Sequence, residues 1–321
     1  MARFVLRRIA LIPAALLLIN FLGYAYAHLS RPLRAARTPY LFAMPDSGPL
    51  LPAYGEYLRG LLHLDLGMMP SGQQRPIAEA LASGLTASLG LLVLALLCSA
   101  VIGLLLGMAA TRVSPPRTSP WLTVFSTVGL AMPSFYIGTL FIVGVVYTIL
   151  RPDVAAVPIP LRGFGWDIHL LLPTIALMAR PTMQTARITS GLLAEELGKR
   201  YIVASRSFGH RWRAVRRQAL RNALAPTILT LAGSLRLLVG ELVLVEWLFA
   251  WPGIGRMLAE TLIPSLLSSR AMNAAFLYPP LVAIILTVFA AIFLLTDLLA
   301  AVLVRAADPR LRVQPEEVGD V

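Results

Sequence analysis

Long apolar runs alternate with shorter, arginine-rich polar stretches along this chain. A run of about 20 apolar residues is long enough to cross a hydrocarbon core of roughly 30 Å. No water is available there to satisfy backbone groups, so each crossing must be helical. Six such runs are readable, at about Ile9–Leu29, Leu85–Ala110, Leu122–Leu150, His169–Gly191, Pro226–Leu248 and Ala275–Val304. The pattern predicts an all-α, polytopic membrane protein with six transmembrane helices. An even number places both termini on one side.

The first run follows Arg3, Arg7 and Arg8, as in a signal peptide, but no small-residue cleavage site interrupts it, so it reads as an uncleaved first span. Residues 1–30 thus form the N-terminal tail and first helix. Residues 31–84 form an extracytoplasmic segment, rich in Pro and Gly at first, with short amphipathic helices expected near Ala53–Leu62 and Pro76–Ser83. Such a segment suits a cap over the outer mouth. Residues 85–304 hold the other five helices, with a long loop at 191–225, and residues 305–321 form a polar tail.

Composition agrees with the pattern: 57% of residues are hydrophobic and only 14% charged, against about 25% charged in soluble domains. The net charge of +12 comes almost wholly from arginine, and Lys199 is the only lysine. These charges lie beside and between the apolar runs, in no nucleic-acid-binding pattern, so no nucleic-acid partner is expected. Their distribution sets topology. The N-terminus, the second-to-third loop (Arg112, Arg117), the fourth-to-fifth loop (Lys199 to Arg221) and the C-terminus (Arg305, Arg310, Arg312) fall on one face if there are six spans. That face is cytoplasmic by the positive-inside rule, giving a multi-pass membrane protein with cytoplasmic termini, set among membrane lipid.

Little in the chain suggests catalysis. Cys98 is alone, and the four histidines have no metal-ligand spacing, so no metal site and no catalytic residue is expected. The single lysine stands in no phosphate-binding loop, so ATP is not bound here in that way. Charges at membrane depth are costly unless they face a cavity or a partner. Arg180, Arg236 and Glu241 are therefore candidates for a translocation path or a subunit contact. Glu246 and Asp297 are open to the same reading, or Glu246 lies near the outer interface and Asp297 is simply paired inside the bundle. Arg236 and Glu241 are five residues apart, a poor spacing for a same-face pair.

The loop at 191–225 is the most unusual stretch. It is compatible with helix but broken at Gly209, which predicts one short helix before the glycine and a second leading into the fifth span. Tyr201, Ile202 and Phe208 among charges suit a docking element, and they suit equally an interfacial helix on anionic lipid.

Several runs resemble the permease subunits of bacterial ATP-binding-cassette importers of the dipeptide/oligopeptide/nickel group, more narrowly the first-named of their two permeases. The similar segments are Met1–Arg8, Tyr57-Leu58-Arg59-Gly60, Leu64-Asp65-Leu66-Gly67, Met132-Pro133-Ser134-Phe135, Leu171-Leu172-Pro173-Thr174 and Leu220–Pro226. Most specific are Glu246-Trp247-Leu248-Phe249-Ala250-Trp251-Pro252-Gly253-Ile254-Gly255-Arg256 and the closing Asp308-Pro309-Arg310.

The resemblance implies a type I importer-like permease of the bacterial inner membrane that moves di- or oligopeptides, or related solutes, into the cytoplasm by alternating access. It implies a second homologous permease, one or two ATPase subunits carrying ATP and Mg, and an extracytoplasmic solute-binding protein. The chain itself would be no enzyme and bind no cofactor. Tyr201, Ala204, Ser205, Phe208 and Gly209 would couple to the ATPase. Trp251, Pro252, Gly253 and Gly255 would form an outer turn and gate. There are departures from the family pattern. Val203-Ala204-Ser205 replaces a Glu-Ala-Ala-like stretch, Phe208 a lysine and Ser190 an arginine, while Arg236 and Glu241 stand where small residues are usual. The rivals are an ion-gradient-driven secondary transporter, whose paired broken helices in inverted repeats are not found, and a membrane scaffold without transport activity.

Overall fold

The computed structural model describes residues 2–37, 48–70, 75–151, 159–263 and 275–307. The Asp308-Pro309-Arg310 run, the rest of the tail and parts of the outer segment lie outside the described residues. The architecture is helical, apart from one small hairpin.

Helix α1 (Ala2–Arg37) runs on past Leu29 into what the sequence suggests is an irregular outer segment. Pro32 lies inside it, but packing outweighs the local signal: Ala27 and Ala35 are buried against Phe276, Leu277 and Val282. Helix α2 (Leu50–Leu62) is the expected amphipathic helix of the outer segment. The second expected one, Pro76–Ser83, is not separate. It forms the first turns of α3 (Ile77–Ala109), with Pro76 as its N-cap residue. Ile77 and Leu81 pack with Leu258 and Ile285. Gly84 does not break the helix; it admits a close approach to Ile254 and Met257.

An antiparallel hairpin of β1 (Thr111–Val113) and β2 (Pro116–Thr118) follows, with Arg112 opposite Arg117. The expected single span over Leu122–Leu150 is two helices, α4 (Pro120–Ala131) and α5 (Ser134–Ile149), bent by 98°. The cause is Pro133, which forces Met132 into an extended conformation (ψ 122°) and ends α4. A single 3-10 turn (Ile168–Leu170) opens α6 (Leu171–Leu197). Next come α7 (Arg200–Ser207), α8 (Trp212–Leu248), α9 (Ile254–Leu262) and α10 (Pro279–Ala307). The helix expected after Gly209 is the start of α8, which runs without a break through Pro226 into the fifth span and on to the far end.

By length and composition, four helices among the described residues suffice to cross a membrane: α1, α3, α8 and α10. The number is five if the bent α4–α5 pair is one span. Helix α6 fails that test because it carries Arg180, Arg187, Glu195, Glu196 and several threonines. Yet it is the central helix, packed by α3, α4, α5 and α8. A helix covered by neighbours over most of its surface need not be apolar toward lipid, and its exposed positions include Arg187, Gly191 and Glu195. Its Thr185 and Thr189 lie against Gly103 and Gly107 of α3, where an added Cβ would sit 2.7 and 2.6 Å from the threonine Cβ atoms. Small residues of this kind let helix backbones approach closely.

Helices α1 and α10 are antiparallel, with Gly23 beside Ala283 at one end and Leu11 and Leu298 lining one cavity at the other. The bundle thus has two distinct ends. One holds the hairpin, the last turn of α6, α7 and the start of α8. There Arg216 donates to the Met108 carbonyl (3.0 Å), and Ser190 is buried between the Thr111 and Thr118 hydroxyls (3.2 Å each). The other end holds α2, α9 and the loop before α6.

Candidate functional site

At the first end, α7 is a two-turn helix clipped to the bundle by one side. Ile202 is buried among Leu193, Leu197, Val215 and Ala219. The Tyr201 hydroxyl donates to Glu196 Oε2 at 2.9 Å, and the Asn222 amide donates to the same oxygen and to the Tyr201 hydroxyl, both at 3.2 Å. Lys199 pairs with the other Glu196 oxygen. This latch joins α6, α7 and α8, and the Lys199 pKa is raised by its bond to Glu196. Burial, then the Glu196 carboxylate, raises that of Tyr201.

The other side of α7 is open. Val203 is 69% exposed, Phe208 82%, and Ala204 is exposed beside them. Ser205 is half-buried. Gly209 stops the helix with φ +75°: its N–H reaches the Arg206 carbonyl (3.0 Å) and that of His210 reaches Ser205 (3.3 Å). These are the two bonds of a Schellman cap, whose left-handed position favours glycine.

The far end of α8 closes with the same motif. Trp251 N–H reaches the Glu246 carbonyl (2.8 Å) and Ala250 N–H that of Trp247 (3.3 Å), but the left-handed position is Ala250, at φ +53°. The chain then turns back as α9. Trp251 is fully buried and donates from Nε1 to the Ala87 carbonyl (3.0 Å). Phe164 and Trp166, from the loop before α6, pack against it, the first tilted and the second edge-on, at ring-centroid distances of 4.9 and 5.8 Å. Pro252 is exposed, while Gly253 and Gly255 are buried.

What fills the space beside those glycines is the carboxylate of Glu246. It is fully buried and accepts the Ser88 hydroxyl (2.6 Å) and the N–H groups of Gly255 (2.7 Å) and Arg256 (3.2 Å). Ser88 in turn accepts the Ile254 N–H (2.9 Å). One carboxylate thus satisfies the free N–H groups at the start of α9 and ties it to α3 and α8. Side chains at 253 and 255 would collide with it. Glu246 is therefore a buried helix-capping acid at the turn between α8 and α9.

At membrane depth, Arg236 and Glu241 do not pair with each other. Arg180 on α6 pairs with Glu241 on α8, and Arg236 on α8 pairs with Asp297 on α10 at 2.6 Å. The three path candidates thus belong to two interhelical ion pairs, and Asp297 is paired inside the bundle as expected. Arg236 remains 45% exposed.

The three expected groups of residues, on and after α7, at the turn into α9 and on α6 and α8, lie in three separate places, and the structure adds others. Glu246 and Arg256 bound the most specific motif, so their presence could be read from it. Ser88 carries no sequence signal, because its partner lies 158 residues away. Among the described residues no group of three or more His, Cys, Asp or Glu is placed to hold a metal ion.

The sequence model of the family described as "Binding-protein-dependent transport system inner membrane component" matches residues 99–313. The chain belongs to this family. It is similar to a putative peptide transport system permease protein of Brucella abortus, 29% identical over 267 residues, covering 82% of this chain and 81% of the relative. It is similar also to the dipeptide transport system permease protein DppB of Lactococcus lactis, 29% identical over 327 residues (98% and 100%). The protein of that name from Escherichia coli K12 is 28% identical over 299 residues (82% and 88%). The chain is thus a permease of an ATP-binding-cassette importer in the bacterial inner membrane. It works with ATPase and binding-protein partners, and ATP is hydrolysed by separate subunits.

Proposed function

We propose that this permease carries di- or oligopeptides, or closely related solutes, into the cytoplasm as one half of a membrane heterodimer. The observation that carries the mechanism is the course of α8. One unbroken helix of 37 residues, about 55 Å long, starts beside α7 and ends at the turn into α9. Helix α7 is fixed to it by Asn222 and by the apolar contacts of Ile202 with Val215 and Ala219. The start of α9 is fixed to it by Glu246. A displacement of α7 is transmitted along a rigid rod to the outer turn.

In this reading α6 is the sixth crossing, and both termini lie in the cytoplasm with the arginine-rich end. Val203, Ala204, Phe208 and the Gly209 stop face an ATPase subunit, with Tyr201 and Ser205 holding them. One or two kinds of ATPase subunit bind ATP and Mg, and this chain binds neither. The turn at Trp251, Pro252, Gly253 and Gly255 belongs to the outer gate, where an extracytoplasmic binding protein delivers the solute. Arg180, Glu241 and Arg236 line the path or meet the sister permease. ATP drives the cycle by binding one of two bundle arrangements better than the other.

The test is affinity purification from the native host in mild detergent, followed by reconstitution. Recovery of a second permease and a P-loop ATPase, with peptide uptake that requires the binding protein, is expected. A clean preparation without any ATPase, from a host that expresses one, would return the chain to the secondary-transporter reading.

A further inference from the structure

Four arginines at the start of α8 share one groove of about 780 Å³, together with Gln218 and Asn222. Arg211, Arg213, Arg217 and Arg221 are exposed, and none makes an ion pair among the described residues. Their neighbour Arg216 differs, being spent on the Met108 carbonyl. Glu196, which meets the groove residue Asn222, is already occupied by Lys199, Tyr201 and that asparagine. The first turn of α8 carries no acidic residue, and its cap has no side-chain hydrogen bond. Arg213, Arg217 and Arg221, four residues apart, thus repel one another, and Arg211 and Arg213 also oppose the positive end of the helix dipole. Such a groove is stabilised by an anion.

The same face shows which anion. Arg213, Arg217 and Arg221 are spaced by four residues, and the stripe continues at spacings of three and four as Leu224 and Ile228. Leu224 is half-buried and Ile228 is 51% exposed. A basic stripe turning apolar within one helical turn matches a phosphate headgroup above an acyl chain. An acidic protein surface would account for the arginines but not for the apolar continuation. We infer that this groove binds an anionic phospholipid of the cytoplasmic leaflet, with its phosphate between Arg217 and Arg221 and an acyl chain along Leu224 and Ile228. The inference rests on the orientation proposed above. Because Asn222 belongs both to the groove and to the latch on Tyr201, the bound lipid braces the mount of α7.

The test uses the assembled transporter, wild type and Arg217→Gln/Arg221→Gln, in nanodiscs of phosphatidylcholine with and without phosphatidylglycerol. Lipid retained on release into detergent is counted by native mass spectrometry. The wild type should retain phosphatidylglycerol over phosphatidylcholine, and the double variant should bind it ~30-fold more weakly, from the loss of two interfacial arginines. Equal retention of the two lipids, or undiminished phosphatidylglycerol on the variant, overturns the inference. So does a variant that keeps the lipid but loses its ATPase, since the groove would then face an acidic protein surface. Peptide uptake by the wild type in the same preparations tests the permease reading separately.

Discussion

The carboxylate of Glu246 accepts the backbone N–H of Gly255 at 2.7 Å, across the turn that separates α8 from α9. Both residues are buried. The glycine is required because an added Cβ would lie 2.7 Å from both that carboxylate oxygen and the Val243 Cα. The acid is required because the N–H groups at the start of a buried helix need an acceptor. Charge and absent side chain specify each other.

Glu246→Gln keeps the shape but turns a charge-assisted acceptor into an amide with one acceptor oxygen. The expected cost is about 2 kcal/mol of stability, read as a lower thermal midpoint of the purified permease, with reduced peptide uptake. Gly255→Ala should cost a similar ~1–3 kcal/mol by overpacking. An unchanged midpoint in both variants would remove the cap from its assigned role.

Ala250 is the mirror case, a non-glycine residue holding a left-handed cap at φ +53°. Ala250→Gly relieves roughly 1 kcal/mol of steric strain and should raise the midpoint. A lower midpoint would show that the methyl group's packing outweighs the strain.

Phe208 and Gly209 separate docking from folding. Phe208 is 82% exposed, so Phe208→Ala should leave stability within about 0.5 kcal/mol while weakening retention of the ATPase. Gly209→Pro cannot adopt φ +75° and loses the N–H bonded to Arg206. It should insert into the membrane and fail to transport. Wild-type uptake by Gly209→Pro would sink the coupling role of this turn.

The two intramembrane ion pairs predict opposite outcomes for single and double changes. Removing one partner leaves an uncompensated charge, at ~3–5 kcal/mol when buried and less for the half-exposed Arg236. Arg180→Met should therefore destabilise more than Arg180→Met/Glu241→Met, in a double-variant cycle read by thermal unfolding. Glu241→Gln should alter the rate or the range of peptides transported. An unaltered profile would make the pair purely structural.

Much of the fold was legible because membrane helices announce themselves through apolar runs of fixed length. The stop at Gly209 after a short helix was legible because local chemistry is sufficient there, whereas the break at Pro133 inside the third run was not. Helix continuity was not. Pro32 and Pro226 look like breaks, and Pro76–Ser83 looks like a separate helix, yet each lies within or opens a longer helix. Neighbouring helices bury Ala27 and Ala35, or Ile77 and Leu81, and outweigh the local cost. Helix α6 shows the reverse limit. Its apolar run was readable at His169–Gly191, but its place at the bundle's centre was not, because only packing by α3, α4, α5 and α8 lets a helix carrying Arg180 and several threonines sit there.

The class of protein, the arginine-rich end and the motif of the outer turn follow from composition and from residues close together in the chain. Which charges meet depends on the packed bundle. Arg180 with Glu241, Arg236 with Asp297 and Ser88 with Glu246 join different helices. Such pairs are set by how the helices pack and rotate against one another, which no spacing along a single helix encodes.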